Sequence, residues 1–321
     1  MGASALCGPG QGTGAVGGKL RGEQMKKLIA LLALVAASGM ALAQTGNAQQ
    51  QQPAGQAAQG QAAPAPTGKH QPQAKSQEEF KAFQDVTAKP DPASMEQAAN
   101  AFSQQYPNSE LKGPLYQNVM LQYQNSNNSD KTLEMGRKVL SLDPDNVVAL
   151  VTVASVLANR TRESDLDKEE RISEAKKDAN QAIQVMNTPE GIPAGVPADR
   201  AEAYKNTILA MAYGALGQAD FVSNDFPAAE QALRKSTSFT NIQQDPISWF
   251  QLTLTLDREG KYADALQAAN KCVEYSANHP VNQYCTQERD RVQKLAANPP
   301  AKPATPAATS PAPTNPSTTP K

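Results

Sequence analysis

With 30 basic and 31 acidic side chains, this 321-residue chain has a formal net charge of −1, which gives it no bulk attraction to nucleic acid or an anionic membrane. Hydrophobic residues make up 39% and aromatic ones 5%, and Gly, Gln, Ala, Pro and Thr dominate both ends. Such ends bury too little apolar surface to offset the entropy of ordering them, so the folded part is expected to be shorter than the chain.

In chain order, the first patterned segment runs from Met25 to Ala43. Lys26 and Lys27 form a positive start, Leu28 to Ala37 a short apolar run, and Ala41-Leu42-Ala43 an Ala-x-Ala cleavage signal before Gln44. The apolar run is shorter than the ~20 residues that cross a bilayer, which favours a cleaved export signal over an anchor. Residues 1–24 then read as an upstream extension ahead of a normal start at Met25. Gly12, Gly14 and Gly17 match a dinucleotide-binding spacing there, but no strand precedes them and no helix with an acidic residue follows. Gly18-Lys19 fails as a phosphate loop because Leu20 stands where a hydroxyl is needed. Residues 44–75, rich in Gln, Ala, Pro and Gly, read as a disordered linker.

Residues 76–297 carry helical periodicity broken by short turn signals, with no convincing strand. Phe80 and Phe83 mark one short helix; Ala98, Ala99, Phe102 and Tyr106 mark a second that stops at Pro107-Asn108-Ser109. Tyr116, Val119, Met120 and Tyr123 open a helix pair that Leu133, Val139, Leu140 and Asp143-Pro144 close. Leu150, Val153, Ala154 and Leu157 repeat those four positions, and Ala175, Ala179, Ala182 and Ile183 follow a charged insertion from Arg160 to Arg171. That insertion reads as a solvated loop and helix start rather than a cation site. Asn187 to Asp199, with Pro189, Pro193 and Pro197, cannot be regular helix; Ile192 and Val196 are expected to pin it down. A third pair has Leu209, Ala210, Tyr213 and Gly217, then Phe226, Ala229 and Leu233, with Gln218 to Asn224 expected to lengthen the turn. The fourth spans Pro246 to Pro280, with Trp249, Leu252, Leu256, Gly260, Tyr262, Ala265, Leu266 and Ala269. Val281 to Ala296 reads as a solvating cap helix, and residues 298–321 as a disordered Pro/Ala/Thr tail.

The Trp249 unit, with a large residue and Leu on its first helix, Gly at the turn and small Ala on its second, resembles a tetratricopeptide repeat (TPR). The likeness extends across roughly 220 residues as periodicity. It implies an all-α, right-handed superhelical solenoid of antiparallel helix pairs, with about four to five repeats plus a C-terminal cap helix. The Tyr106-Pro107-Asn108-Ser109 ending further resembles repeats of periplasmic envelope proteins, among them outer-membrane assembly lipoproteins and coordinators of envelope constriction.

Solenoids of this kind bind partners on the concave face formed by their first helices. In the repeat frame that face carries Gln117, Leu121, Gln124, Asn125, Val151, Ser155, Asn159, Thr207, Met211, Phe250, Leu254 and Arg258. It is mostly amide and apolar. Carboxylate-clamping repeats need Lys, Arg and Asn where this chain has Gln117, Leu121 and Val151, so an extended or helical peptide fits better. The alternative for each apolar member, Leu121, Val151 and Leu254 included, is packing within the solenoid.

Little else carries chemistry. His70 falls in the linker and His279 in a turn, neither with metal spacing, so no metal, cofactor or catalytic residue is assigned. Cys7 precedes the expected mature chain; Cys272 and Cys285 remain and in an oxidising compartment would pair between the last repeat and the cap. Two free, buried thiols are the alternative. The sequence thus points to an exported, periplasmic, non-enzymatic scaffold for a protein or peptide partner of the cell envelope. Nucleic acid and a small-molecule substrate are not expected. Self-association, or service as accessory subunit to a separate envelope enzyme or assembly complex, are the alternatives.

Overall fold

The computed structural model describes residues 70–300. The expected extension (1–24), export signal (25–43), most of the linker and most of the tail lie outside the described residues. Among the described residues are eleven α-helices, one 3-10 turn and no strand. The helices are α1 (Gln77–Thr87), α2 (Pro92–Gln105), α3 (Lys112–Asn125), α4 (Ser129–Leu142), α5 (Val147–Arg160) and α6 (Lys168–Met186). After the 3-10 turn Pro189–Gly191 come α7 (Ala198–Val222), α8 (Phe226–Thr237), α9 (Pro246–Arg258), α10 (Tyr262–Tyr275) and α11 (Asn282–Ala297).

Short polar residues start many of these helices by accepting the orphan backbone N–H groups of the first turn. Asp91 accepts from Ala93 and Ser94, Asn128 from Lys131, Asn146 from Ala149, Asp225 from Ala228, and Asp245 from Ile247 and Ser248. Pro92, Pro227 and Pro246 sit in the first turn of their helices, where their missing N–H costs nothing.

One turn recurs between paired helices. Asn127, Asn224 and Gly260 adopt left-handed backbone, with φ of 58°, 61° and 71°. In each case the following N–H reaches back five residues: Asn128 to Tyr123 O, Asp225 to Asp220 O, and Lys261 to Leu256 O, at 2.9–3.0 Å. The left-handed residue also donates to the carbonyl three residues back. This double bond pattern satisfies the last carbonyls of α3, α7 and α9 and returns the chain as α4, α8 and α10. The α5–α6 connection departs from it because the charged insertion intervenes. There Arg162 N–H donates to Asp165, and Arg171 pairs with Asp167 at 2.7 Å.

Each helix packs against the next along the chain, and the pairs α3/α4, α5/α6, α7/α8 and α9/α10 stack in order, consistent with an α-solenoid. Small residues on the second helices allow close approach. Ala175, Ala179 and Ala182 of α6 and Ala265, Ala268 and Ala269 of α10 are all buried. A methyl added at Gly136 of α4 would meet Val153 Cγ2 at 2.5 Å. One continuous apolar core runs from Phe83 and Met95 through Leu115, Val139 and Leu150 to Ile208 and Ala212. Ile192 and Val196 of the Pro-rich crossing pack against it, as expected.

Helix α7 differs from the sequence reading at both ends, the first including Ala198 and Asp199. Helix α7 runs unbroken to Val222, so Gln218–Asn224 is mostly helix rather than a lengthened turn. Burial of Ala219 and the Asp220–Lys176 ion pair at 2.7 Å hold that last turn in place. At its other end α7 reaches back to Ala198 and lies along α5 as well as α6. Helix α5 is therefore covered nearly all round, with eleven of its residues buried.

At the C-terminus, α11 packs on α10 through Cys285 and Val292. The structure joins Cys272 to Cys285 by a disulfide across a Cα–Cα distance of 5.5 Å.

Candidate binding cleft

A cleft of roughly 690 Å³ opens where the N-terminal segment, the first turn of α3, the α4–α5 turn and the Pro-rich crossing converge. Its apolar lining is contributed by Phe83, Leu111, Leu142, Val147, Val148 and Tyr204. Most of these are buried, but Leu142, the last residue of α4, is 43% exposed. Met135 and Val139 point α4 at the core, whereas Leu142 at the end of the helix stays part-exposed.

Polar groups line the rim. Gln117 Oε1 accepts from Asn146 Nδ2 at 2.9 Å, tying α3 to the start of α5. Asp145 accepts from Gln181 Nε2 at 2.9 Å. The non-helical segment 70–75 lies along one side. His70 Nε2 is 3.3 Å from Glu110, Gln73 N–H donates to Glu110 at 3.0 Å, and Lys75 Nζ donates to the Asn108 carbonyl at 2.8 Å. The Gln73 N–H, helped by His70 and Lys75, holds the Glu110 carboxyl below its ordinary range.

The twelve residues expected on a concave face separate under this geometry. Gln117 alone among them lines the cleft. Leu121, Gln124, Val151 and Ser155 are buried, the last two at 0% and 1% exposure, and offer a partner no surface. Leu121 and Val151 take the alternative given for them, packing within the stack: they belong to the main core with Tyr204, Ile208 and Leu209 of α7, whose N-terminal extension lies along α5. Asn125, Asn159, Thr207, Met211, Phe250 and Leu254 are half-buried and Arg258 is exposed. Asn159 Nδ2 donates to the Ser155 carbonyl and Thr207 Oγ1 to the Ala203 carbonyl, both at 2.7 Å. Met211 packs against the main core, and Phe250 against the cluster around Cys272.

Sequence reasoning read Leu142 as a second-helix position of a repeat and passed over Asp145 and Glu190. The apolar run Val147–Ala154 was the usable signal, since a helix apolar on every side belongs in the middle of a stack and leaves its groove elsewhere. His279 is half-buried in its turn, where its Nδ1 accepts the Val281 N–H at 3.1 Å.

A second cleft, of about 580 Å³, lies between α4 and the start of α6. Its walls are ion pairs: Arg137 with Glu174 through two bonds of 2.9 and 2.6 Å, Arg160 with Asp130, and Arg171 with Asp167. These charges largely neutralise one another, so the cleft presents little for a ligand to satisfy. Among the described residues no group of three or more His, Cys, Asp or Glu is placed to hold a metal ion. Nor, among them, is any helix long and apolar enough to cross a membrane. No protein-family model matches this chain, and no curated protein matches it.

Proposed function

We propose that this chain is an exported, tetratricopeptide-type solenoid of right-handed superhelical twist that acts as a non-enzymatic scaffold for a partner protein of the cell envelope. The observation carrying the reading is the 690 Å³ cleft, in which a large, part-exposed Leu142 sits among amide and carboxylate groups on a stack of rigid helix pairs. Apolar contact with orienting polar groups is what a docked segment of another protein requires. The export signal read from Met25 to Ala43 and the recurrent turn of α3/α4, α7/α8 and α9/α10 support the compartment and the repeat type respectively.

Photo-crosslinking in intact cells from a reactive residue at position 142 tests the proposal. One dominant envelope-protein adduct is expected. Adducts only to a second copy of the chain would replace it with self-association, and no adduct at all would overturn the use of this cleft. A reactive residue at Arg258, exposed but outside the cleft, serves as the comparison.

A further inference from the structure

We infer that the cleft takes a non-helical, cationic segment of its partner, with Lys or Arg flanking an apolar side chain that covers Leu142. This rests on the reading of the cleft as a binding site and adds the chemistry of what binds. The argument is charge complementarity. Glu110, Asp143, Asp145 and Glu190 line the cleft against one lysine, Lys112, and His70, which already lies on Glu110; Asp145 and Glu190 carry the acidic excess. The Lys112 ammonium donates to the Pro107 carbonyl. Glu190 lies exposed within the 3-10 turn; among the described residues it is in no ion pair, and the Asp145 carboxylate accepts from the neutral Gln181 amide. The carboxylates thus surround an apolar floor, an arrangement that steers and orients a positively charged segment while Leu142 supplies the contact area.

The chain itself shows that this face accepts such a segment. Residues 70–75, without regular secondary structure, run along the same cleft with His70 on Glu110 and Lys75 on the Asn108 carbonyl. Ala74 between them packs on the main core. An incoming segment would extend the same alternation of cation and apolar side chain toward Asp145 and Glu190. An acidic segment would meet like charge at each of those positions.

The test uses the full chain and two dye-labelled peptides, Ala-Pro-Lys-Pro-Leu-Pro-Lys-Ala and its counterpart with both Lys replaced by Glu, read by fluorescence anisotropy. Only the Lys peptide is expected to bind. Asp145→Asn combined with Glu190→Gln should weaken it roughly three- to tenfold, as two rim ion pairs imply, and raising the salt should weaken it further. Equal binding of both peptides, or no effect of the paired substitutions, overturns the charge argument. Binding of neither peptide alongside a position-142 adduct in cells would remove the cationic chemistry and leave the scaffold reading standing. Binding that appears only after deletion of residues 44–69 would make the chain's own upstream segment the occupant and overturn the assignment to a partner.

Discussion

Asp178 of α6 offers the sharpest test of the packing. Its side chain is buried, 6% exposed, and its Oδ2 has no hydrogen-bond partner. Arg137 could have served it, but that guanidinium is turned onto Glu174 through two bonds. Burial first, and then the Glu174 charge one turn earlier, push the Asp178 pKa from 3.8 up to about 6; Lys177 and Arg137 oppose the shift without cancelling it. Since the folded-state value lies above the unfolded one, the fold prefers the protonated acid. The contribution of Asp178 is therefore most favourable below about pH 3.8 and is lost as the pH rises through about 6. A rise of about two units, at ~1.4 kcal/mol per unit, amounts to roughly 3 kcal/mol of destabilisation near neutrality.

Asp178→Asn removes the charge and nearly preserves the shape. The new amide still has to be accommodated, so the expected gain is about 1–3 kcal/mol at pH 7.5, falling toward zero by pH 4. Urea unfolding followed by far-UV circular dichroism across that range measures it. Comparing variant with parent at each pH cancels the other titrating groups. A variant no more stable than the parent at pH 7.5, or a gain that stays constant down to pH 4, would refute the claim that an uncompensated carboxylate sits inside α6.

Four further outcomes follow from the same geometry. Lys176→Met strands the buried Asp220 carboxylate, whose pKa burial already raises; about 2 kcal/mol should be lost at pH 7 and recovered on acidification, as thermal unfolding at two pH values will register. Gly217→Ala drives a methyl to within 2.5 Å of Leu233 Cγ where α7 meets α8, and overpacking of about 1–3 kcal/mol should outweigh the helix-propensity gain of ~1 kcal/mol; an unchanged melting temperature would contradict that contact. Cys285→Ser opens a loop of 13 residues worth about 3 kcal/mol, and amide exchange should quicken in Asn282–Ala297 while α3 to α8 stay protected. Leu121→Arg should unfold its part of the stack, whereas Leu142→Arg should leave helicity intact and abolish only partner capture; equal stability of the two variants would count against the burial that separates them.

How much of this was legible before the structure depends on which period carried it. Helices α3 and α5 announce themselves by apolar residues at i, i+3, i+4 and i+7, and α9 by Trp249, Leu252 and Leu256; Asn146 and Asp245 stand at the starts of α5 and α9, whereas α3 starts after Leu111 with no side-chain cap. Gly260 and the segment ending at Asn224 were legible as turns and Asn127 was not; the left-handed backbone common to all three was hidden because two are Asn and one is Gly. Four of the twelve groove positions, Leu121, Gln124, Val151 and Ser155, are buried for a physical reason. A repeat frame assumes that every unit has equal length, whereas α6 and α7 are longer than the other helices and α7 spills over the face of α5. No residue-by-residue count in a standard frame could register that overlap.

The same overlap explains where the cleft lies. Once α7 covers α5, Leu121 and Val151 pack with Tyr204, Ile208 and Leu209 instead of remaining open. The chain must then bridge from the end of α6 back to the start of α7, and it does so through the irregular stretch containing Pro189, Pro193 and Pro197. Proline lacks the N–H for a helix, so this bridge cannot close over the stack as another hairpin would. It passes beside the α4–α5 turn and leaves Leu142 without a covering helix. The long α7 that buries Leu121 and Val151 is thus joined to α6 by the proline bridge, and that bridge forms one wall of the site proposed for the partner.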